Sequence, residues 1–318
     1  MSILITGGAG FIGSRLALAL RKQGERLILL DNFNSYYDPK LKRANAALFA
    51  ADPRVTVVEG DVRDLALVDG LVGEHQVDKI AHLAAMAGVR NSMNEAHLYF
   101  EVNLMGSLNM MEVARKYEIK QFIQASTSSV YGETTRLPFV EEDAADRPLA
   151  PYPASKRAAE IMAHSYHHLF GLNITCLRFF NVYGPQGRPD MMPMKVLDAA
   201  ANGTPVTLFN GGQLGRDWTY IDDIVDGVMA ALEHPLGYEV MNLGCGNPIT
   251  MNEFVDIIEE LSSTKIQRID APAPPSEPPI TFCDNSRARQ LLGFEPKVNV
   301  VDGLARTYEW YANGRESQ

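Results

Sequence analysis

Ile3-Leu4-Ile5-Thr6-Gly7-Gly8-Ala9-Gly10-Phe11-Ile12-Gly13 opens the chain with an apolar run, three spaced glycines and the start of a helix-forming stretch. Gly7, Gly10 and Gly13 permit a tight turn, close approach of backbone to a phosphate, and close packing of the following helix on the sheet. A second apolar run, Leu27-Ile28-Leu29-Leu30, ends in Asp31, eighteen positions after Gly13. A carboxylate there accepts hydrogen bonds from the adenosine ribose hydroxyls and repels a 2′-phosphate, so the pattern predicts a dinucleotide site that prefers NAD to NADP.

Outward from that loop, short apolar runs alternate with helix-length segments. Strands are expected at residues 3–5, 26–30, 55–59, 79–83, 121–125 and 175–179, with a helix at about 11–23. Such alternation argues for a Rossmann-type, doubly wound parallel sheet covered on both faces, with ligands at the C-terminal ends of its strands. After about Phe180 the pattern loosens into Gly- and Pro-containing stretches, with helices expected at residues 192–202, 221–233, 251–262 and 301–312 and a strand at 206–209. The expected organisation is an NAD-binding domain over 1–178 with a return segment at about 217–245. A smaller mixed α/β substrate domain then takes about 179–216 and 246–318. The proline-dense run 270–279 reads as a surface-crossing loop, and there is no internal repeat.

The bulk composition narrows the partners. With 318 residues, 46% hydrophobic, 21% charged and a net charge of −10, the chain is long enough for a substantial core and ill-suited to nucleic acid or an anionic membrane. Cys176, Cys245 and Cys283 are odd in number and widely spaced, which fits a reducing, cytoplasmic setting. The chain begins without a basic leader or cleavage pattern and contains no apolar run of spanning length, so export and anchoring are not expected.

The chemistry is carried by Thr127-Ser128-Ser129-Val130-Tyr131-Gly132 and Tyr152-Pro153-Ala154-Ser155-Lys156. A tyrosine and a lysine four apart share one helix face, and an ammonium there could depress the phenol's pKa and make it a proton-transfer group. Histidines at 164 and 168 have a metal-compatible spacing, but no convergent carboxylates accompany them and no metal is expected.

The glycine loop, the Val130-Tyr131-Gly132 segment, Tyr-x-x-x-Lys, Arg178-Phe179-Phe180-Asn181-Val182-Tyr183-Gly184-Pro185 and Arg216-Asp217-Trp218-Thr219-Tyr220-Ile221-Asp222-Asp223 occur in order. With them the chain resembles the extended short-chain dehydrogenase/reductase family of nucleotide-sugar epimerases over essentially its whole length. Residues 32–43, Ala87-Gly88-Val89-Arg90 and Gly187-Arg188-Pro189-Asp190-Met191 look most like the branch that acts on UDP-glucuronate. The resemblance implies Tyr152 as the base at the sugar 4-hydroxyl, Lys156 as the holder of the nicotinamide ribose, and Thr127 as a hydrogen-bond partner of the reacting oxygen. Hydride then leaves carbon 4, the 4-keto sugar rotates, and the hydride returns to its other face, so NAD is not consumed.

Residues implied at the cofactor are Gly7, Gly10, Phe11, Ile12, Gly13, Asp31, Asn32, Asp61, Val62, Leu83, Ala84 and Ala85, with Tyr152 and Lys156. Those implied at a UDP-sugar are Thr127, Ser128, Ser129, Asn181, Arg188, Phe209, Arg216 and Arg90. Family dehydratases carry an Asp-Glu pair beside the catalytic Thr or Ser, and decarboxylases a glutamate. Two serines stand here instead, which leaves epimerisation without loss of water or carbon dioxide. Relatives in the glucuronate branch commonly have threonine at the place of Asn181 and tryptophan at that of Gln186. Asparagine is usual in UDP-glucose and UDP-N-acetylglucosamine epimerases, so a neutral-sugar 4-epimerase stays open as the alternative. A non-catalytic NAD-binding regulator is the alternative of another class. The resemblance also implies a homodimer built on the Tyr152 helix and a helix at about 98–117.

Overall fold

The computed structural model describes residues 1–134 and 136–316. Seven parallel strands form the central sheet: β1 Ser2–Thr6, β2 Arg26–Asp31, β3 Val55–Glu59, β4 Lys79–His82, β5 Gln121–Thr127, β6 Ile174–Phe179 and β7 Tyr238–Leu243. Their spatial order is β7-β6-β5-β4-β1-β2-β3. All five residues of β1 and all seven of β5 are buried, which is why these strands read as runs rather than as alternations. The chain winds outward in both directions from the β1/β4 pair, and the crevice beyond that switch point is where such sheets bind ligands.

Register brings the functional loops level. Thr6 lies opposite both Leu30 and His82, and Thr127 lies opposite Phe179, so the loops after β1, β4, β5 and β6 leave the sheet at one edge. The helix Phe11–Lys22 buries Leu16, Ala17 and Leu20 in a core shared with Ile224, Val225 and Val228 of the helix Ile221–Glu233. A second apolar cluster on the other face of the sheet includes Leu4, Ile80, Met110, Val113 and Ala163.

Later residues build a smaller cap of short strands and helices. Val206–Phe209 pairs in parallel with Arg268–Ala271, while Gly215–Asp217 pairs with Pro248–Thr250 and with Ile280–Thr281. The helices Met192–Asn202, Ile221–Glu233 and Met251–Ser262 have the expected limits, and the last, Val300–Glu316, is longer than expected.

One expectation changes. The single helix expected over about 98–117 is three pieces: Ala96–Phe100, a π-helical turn Glu101–Met105, and Gly106–Lys116. The wider turn contains Asn103, wholly buried, which donates to the Met86 carbonyl at 2.9 Å and accepts from the Met86 N–H at 2.8 Å. The proline-dense run crosses the surface as expected, with Asp270, Pro272, Pro275 and Pro279 exposed, and its Ser276-Glu277-Pro278 stretch also lines the cleft.

Candidate active site

One cavity of about 900 Å³ runs from the glycine loop to the cap. It is lined at one end by Gly7, Gly10, Phe11, Ile12, Gly13, Asp31, Leu83, Ala84 and Ala85. At its middle stand Thr127, Ser128, Ser129, Tyr152 and Lys156, and beyond them Asn181, Arg188, Phe209, Arg216 and Arg90. Asn32 and Val62 line a small neighbouring cavity that shares Gly7, Asp31, Ala84 and Ala85 with the large one. Asp61 lines neither; its carboxylate is held by Arg63 and by Asn32 at 2.9 Å. Burial opposes the charge on Asp61, but these bonds outweigh it and hold the carboxyl at about 2.

The glycine loop has no room for side chains. A Cβ on Gly13 would lie 2.2 Å from the Gly7 carbonyl oxygen, and one on Gly7, at φ +68°, would lie 2.9 Å from the Ala84 nitrogen. At the end of β2, Asp31 is buried and accepts from the Phe33 N–H at 2.9 Å, the Ala9 N–H at 3.3 Å and the Lys42 ammonium at 3.4 Å. Lys42 went unread in the sequence because it lies eleven residues on, within a polar helix; folding buries it against Asn34 and the Tyr37 ring.

Tyr152 and Lys156 stand in the first turns of the helix Pro151–Phe170, whose N-terminus is set by Pro151. Glu160, one turn further, anchors that helix to the sheet. It accepts from Arg178 at 3.0 and 2.8 Å, from Arg157 at 2.9 Å and from Ser126 at 2.5 Å, with Arg178 and Glu160 almost fully buried. Burial disfavours the Glu160 charge, yet Arg178 holds its carboxyl below the usual range. This network fixes the helix relative to β5 and hence Tyr152 relative to Thr127. A second tie runs through Ser155, which donates to the Tyr152 carbonyl at 2.7 Å and accepts from Asn103 at 3.0 Å.

The electrostatics correct one expectation. Burial raises the Tyr152 phenol above its ordinary value, and the groups pulling it down are the Thr127 side chain by hydrogen bonding and Arg188 by charge, not Lys156. Lys156 is itself pushed down to about 8 by burial, against the opposing pull of Cys176 and Glu160. Its ammonium is buried on the cavity wall with no hydrogen-bond partner among the described residues.

At the sugar end, Arg188 binds Asp190 through two nitrogens at 3.0 and 2.6 Å and lies over the Tyr36 ring at 5.2 Å. Arg216 and Arg90 both reach Glu277, which the sequence did not reveal as a site residue. Asn181 lines the cavity just past β6. His164 and His168 stack their rings 6.4 Å apart away from the cleft, and among the described residues no group of three or more His, Cys, Asp or Glu could hold a metal ion.

A glycine cradle closed to any Cβ, a buried carboxylate at the end of β2 and an unpartnered buried ammonium together fit a dinucleotide. Residues 3–244 match the model of the NAD dependent epimerase/dehydratase family. The chain belongs to this family. It is 38% identical over 308 residues to the UDP-glucuronate 4-epimerase of Thermodesulfobacterium geofontis, covering 96% of this chain and 95% of that one. Its fold superposes with TM-score 0.92 and 34% identity on a UDP-glucuronic acid 4-epimerase from Bacillus cereus solved with UDP-glucuronic acid and NAD, over 98% and 99% of the two chains. A UDP-glucose 4-epimerase from Thermotoga maritima, solved with UDP-glucose, is similar at TM-score 0.91 and 30% identity, over 99% and 100%. Among the described residues, no helix of this family member is long and apolar enough to cross a membrane.

Proposed function

We propose that this protein is an NAD-dependent UDP-glucuronate 4-epimerase that interconverts UDP-glucuronate and UDP-galacturonate. The observation that carries the reading is the hydroxyl wall Thr127, Ser128 and Ser129, facing the cavity that also holds Tyr152. The carboxylates lining that cavity are all engaged, Asp31 by Lys42, Asp190 by Arg188, Asp198 by the Tyr311 hydroxyl and Glu277 by Arg90 and Arg216, which favours Tyr152 as the proton-transfer group. Similarity to UDP-glucuronate 4-epimerases over nearly the whole chain supports the sugar.

Bound NAD would supply a reversible acceptor for the hydride of sugar carbon 4, and its positive ring would add to the charges that favour a phenolate. Tyr152 takes the proton of the 4-hydroxyl and returns it after the 4-keto sugar has turned. Thr127 holds the reacting oxygen in line with the phenol. Lys156, with its ordinary ionisation lowered to about 8, remains mostly cationic at neutral pH and donates to the ribose hydroxyls of the cofactor. Asp31 would accept from the adenosine ribose, and Asn181 and Arg188, which line the cavity beyond Tyr152, would orient the sugar nucleotide.

Asn181 favours one second reading, a neutral UDP-sugar 4-epimerase, which the similarity to the Thermotoga maritima enzyme also supports. Incubating the purified protein with UDP-glucuronate, UDP-glucose and UDP-N-acetylglucosamine and resolving the 4-epimers decides between them. Conversion of UDP-glucuronate alone is expected. Turnover of only the neutral sugars overturns the carboxylate assignment, and inertness toward all three overturns the epimerase reading.

The division of labour we infer is an NAD-binding part over about 1–178 and 217–245, with the remaining segments binding the sugar nucleotide. The protein works as a cytoplasmic homodimer in this reading. Exposed Phe100, Met105, Ile161, Leu169 and Phe170 on the two candidate interface helices, together with three free cysteines, support it.

A further inference from the structure

The three stretches that look most like the glucuronate branch, 32–43, 87–90 and 187–191, lie far apart in the chain and meet at one point of the cleft. There the Arg188 guanidinium lies over the Tyr36 ring at 5.2 Å, and the Tyr36 hydroxyl donates to Asp190 at 3.3 Å and accepts from Arg188 at 3.4 Å. Gly88 leaves room for that hydroxyl. A Cβ on it would lie 2.3 Å from the Tyr36 hydroxyl oxygen, and its φ of +101° is one that a side chain would strain.

The backbone behind the tyrosine is fixed. The Asn34 side-chain oxygen accepts from the Tyr36 N–H at 3.2 Å and from the Lys42 ammonium at 3.2 Å, and Lys42 reaches Asp31 at 3.4 Å. Tyr36 is therefore tied to the end of β2, while its ring reaches across to the sugar end of the cleft.

Arg188 needs such a fixed point. Its bond to Asp190 uses Nε and Nη2, and Nη2 spends its second hydrogen on Tyr36, so Nη1 is the nitrogen left for a ligand. Asp190 stands two residues further along the same loop, so it sets the guanidinium within the loop but not the loop within the cleft. Tyr36 comes from another part of the chain and does the second. A planar guanidinium over a ring is held in direction as well as in place.

We infer that Tyr36 is a positioning residue for the sugar half of the substrate, holding Arg188 so that its free Nη1 edge meets the sugar, with Gly88 as the gap that admits it. The inference rests on the reading that Arg188 orients the sugar nucleotide.

Steady-state epimerisation of UDP-glucuronate by NAD-loaded wild type, Tyr36→Leu and Tyr36→Phe, with UDP as a competing inhibitor, tests it. Leucine removes ring and hydroxyl, whereas phenylalanine keeps the ring beneath the guanidinium. In Tyr36→Leu kcat/KM is expected to fall about tenfold, mostly through KM, and in Tyr36→Phe to stay within about threefold of wild type. UDP carries no sugar and should inhibit all three proteins alike. Added to Arg188→Met, Tyr36→Leu should cost less than about twofold more, because a residue acting through Arg188 then has nothing to position. Undiminished kcat/KM in Tyr36→Leu, an equal weakening of UDP inhibition, or the full further loss in the Arg188→Met background overturns the inference alone, since wild-type turnover still upholds the epimerase. An inert wild type overturns both.

Discussion

The two ends of the cleft are made of different material. The glycine-loop end is shaped by backbone, from residues that follow one another in the chain and leave no space for a Cβ at Gly7 or Gly13. The end under the proline-dense run is shaped by side chains brought from positions 90, 209, 216 and 277, and its arginines are held by an anion of the protein's own. A site of packed backbone has one state and is rigid before ligand arrives. A site of ion pairs depends instead on where long charged side chains settle.

Tyr152, where the two ends meet, gives the largest expected effect. Tyr152→Phe should lower epimerisation about a thousandfold while NAD and UDP still bind, as read by product chromatography and by the NAD content of the purified protein. Undiminished turnover would remove Tyr152 from the mechanism. Gly13→Ala attacks the backbone end alone: its methyl would collide with the Gly7 carbonyl, and NAD affinity should fall about a hundredfold, equivalent to about 3 kcal/mol. UDP binding by the same variant should be nearly unchanged; parallel loss of both ligands would show that the two ends are mechanically one.

The smallest expected effect lies beneath the glycine loop. His82 is fully buried, its ring nitrogens bonded to Thr6 at 2.7 Å and Ser107 at 3.0 Å, and burial, aided by Lys156, pushes it down to about 3. The folded protein keeps this imidazole neutral where the unfolded chain would protonate it, so stability falls as pH drops from about 6.5 toward 3. By pH 5 the loss is about 2 kcal/mol from this residue. In denaturant titrations His82→Gln should show a shallower fall over that range than wild type; identical slopes would assign the acid sensitivity elsewhere.

The same contrast explains what the sequence disclosed. Strands β1 to β6, the glycine loop, Asp31 and the Tyr-x-x-x-Lys spacing are local patterns whose geometry follows from neighbouring residues. Strand β7 was expected only within a return segment, because Tyr238-Glu239-Val240-Met241-Asn242-Leu243 is an edge strand with three half-exposed positions and a buried asparagine, and carries no clean period. The π turn was invisible because Asn103 in a helical pattern does not announce its bonds to Met86 and Ser155. Glu277 was hidden for a plainer reason: the Arg90 partner lies 187 residues away, beyond any spacing rule. Lys156 shows the limit even within a local motif, since its effect on Tyr152 was inferred from helix periodicity and the buried surroundings decide it otherwise.

The sheet order has a consequence for how the protein is made. The helix Phe11–Lys22 leaves the ribosome early, yet its apolar partner Ile221–Glu233 and the edge strand β7 emerge about two hundred residues later. At cellular synthesis rates that is a wait of roughly 10–40 s, during which Leu16 and Leu20 have no permanent cover. Nascent chains that stop short of residue 243 are therefore the form of this protein most in need of a chaperone, however stable the finished enzyme is.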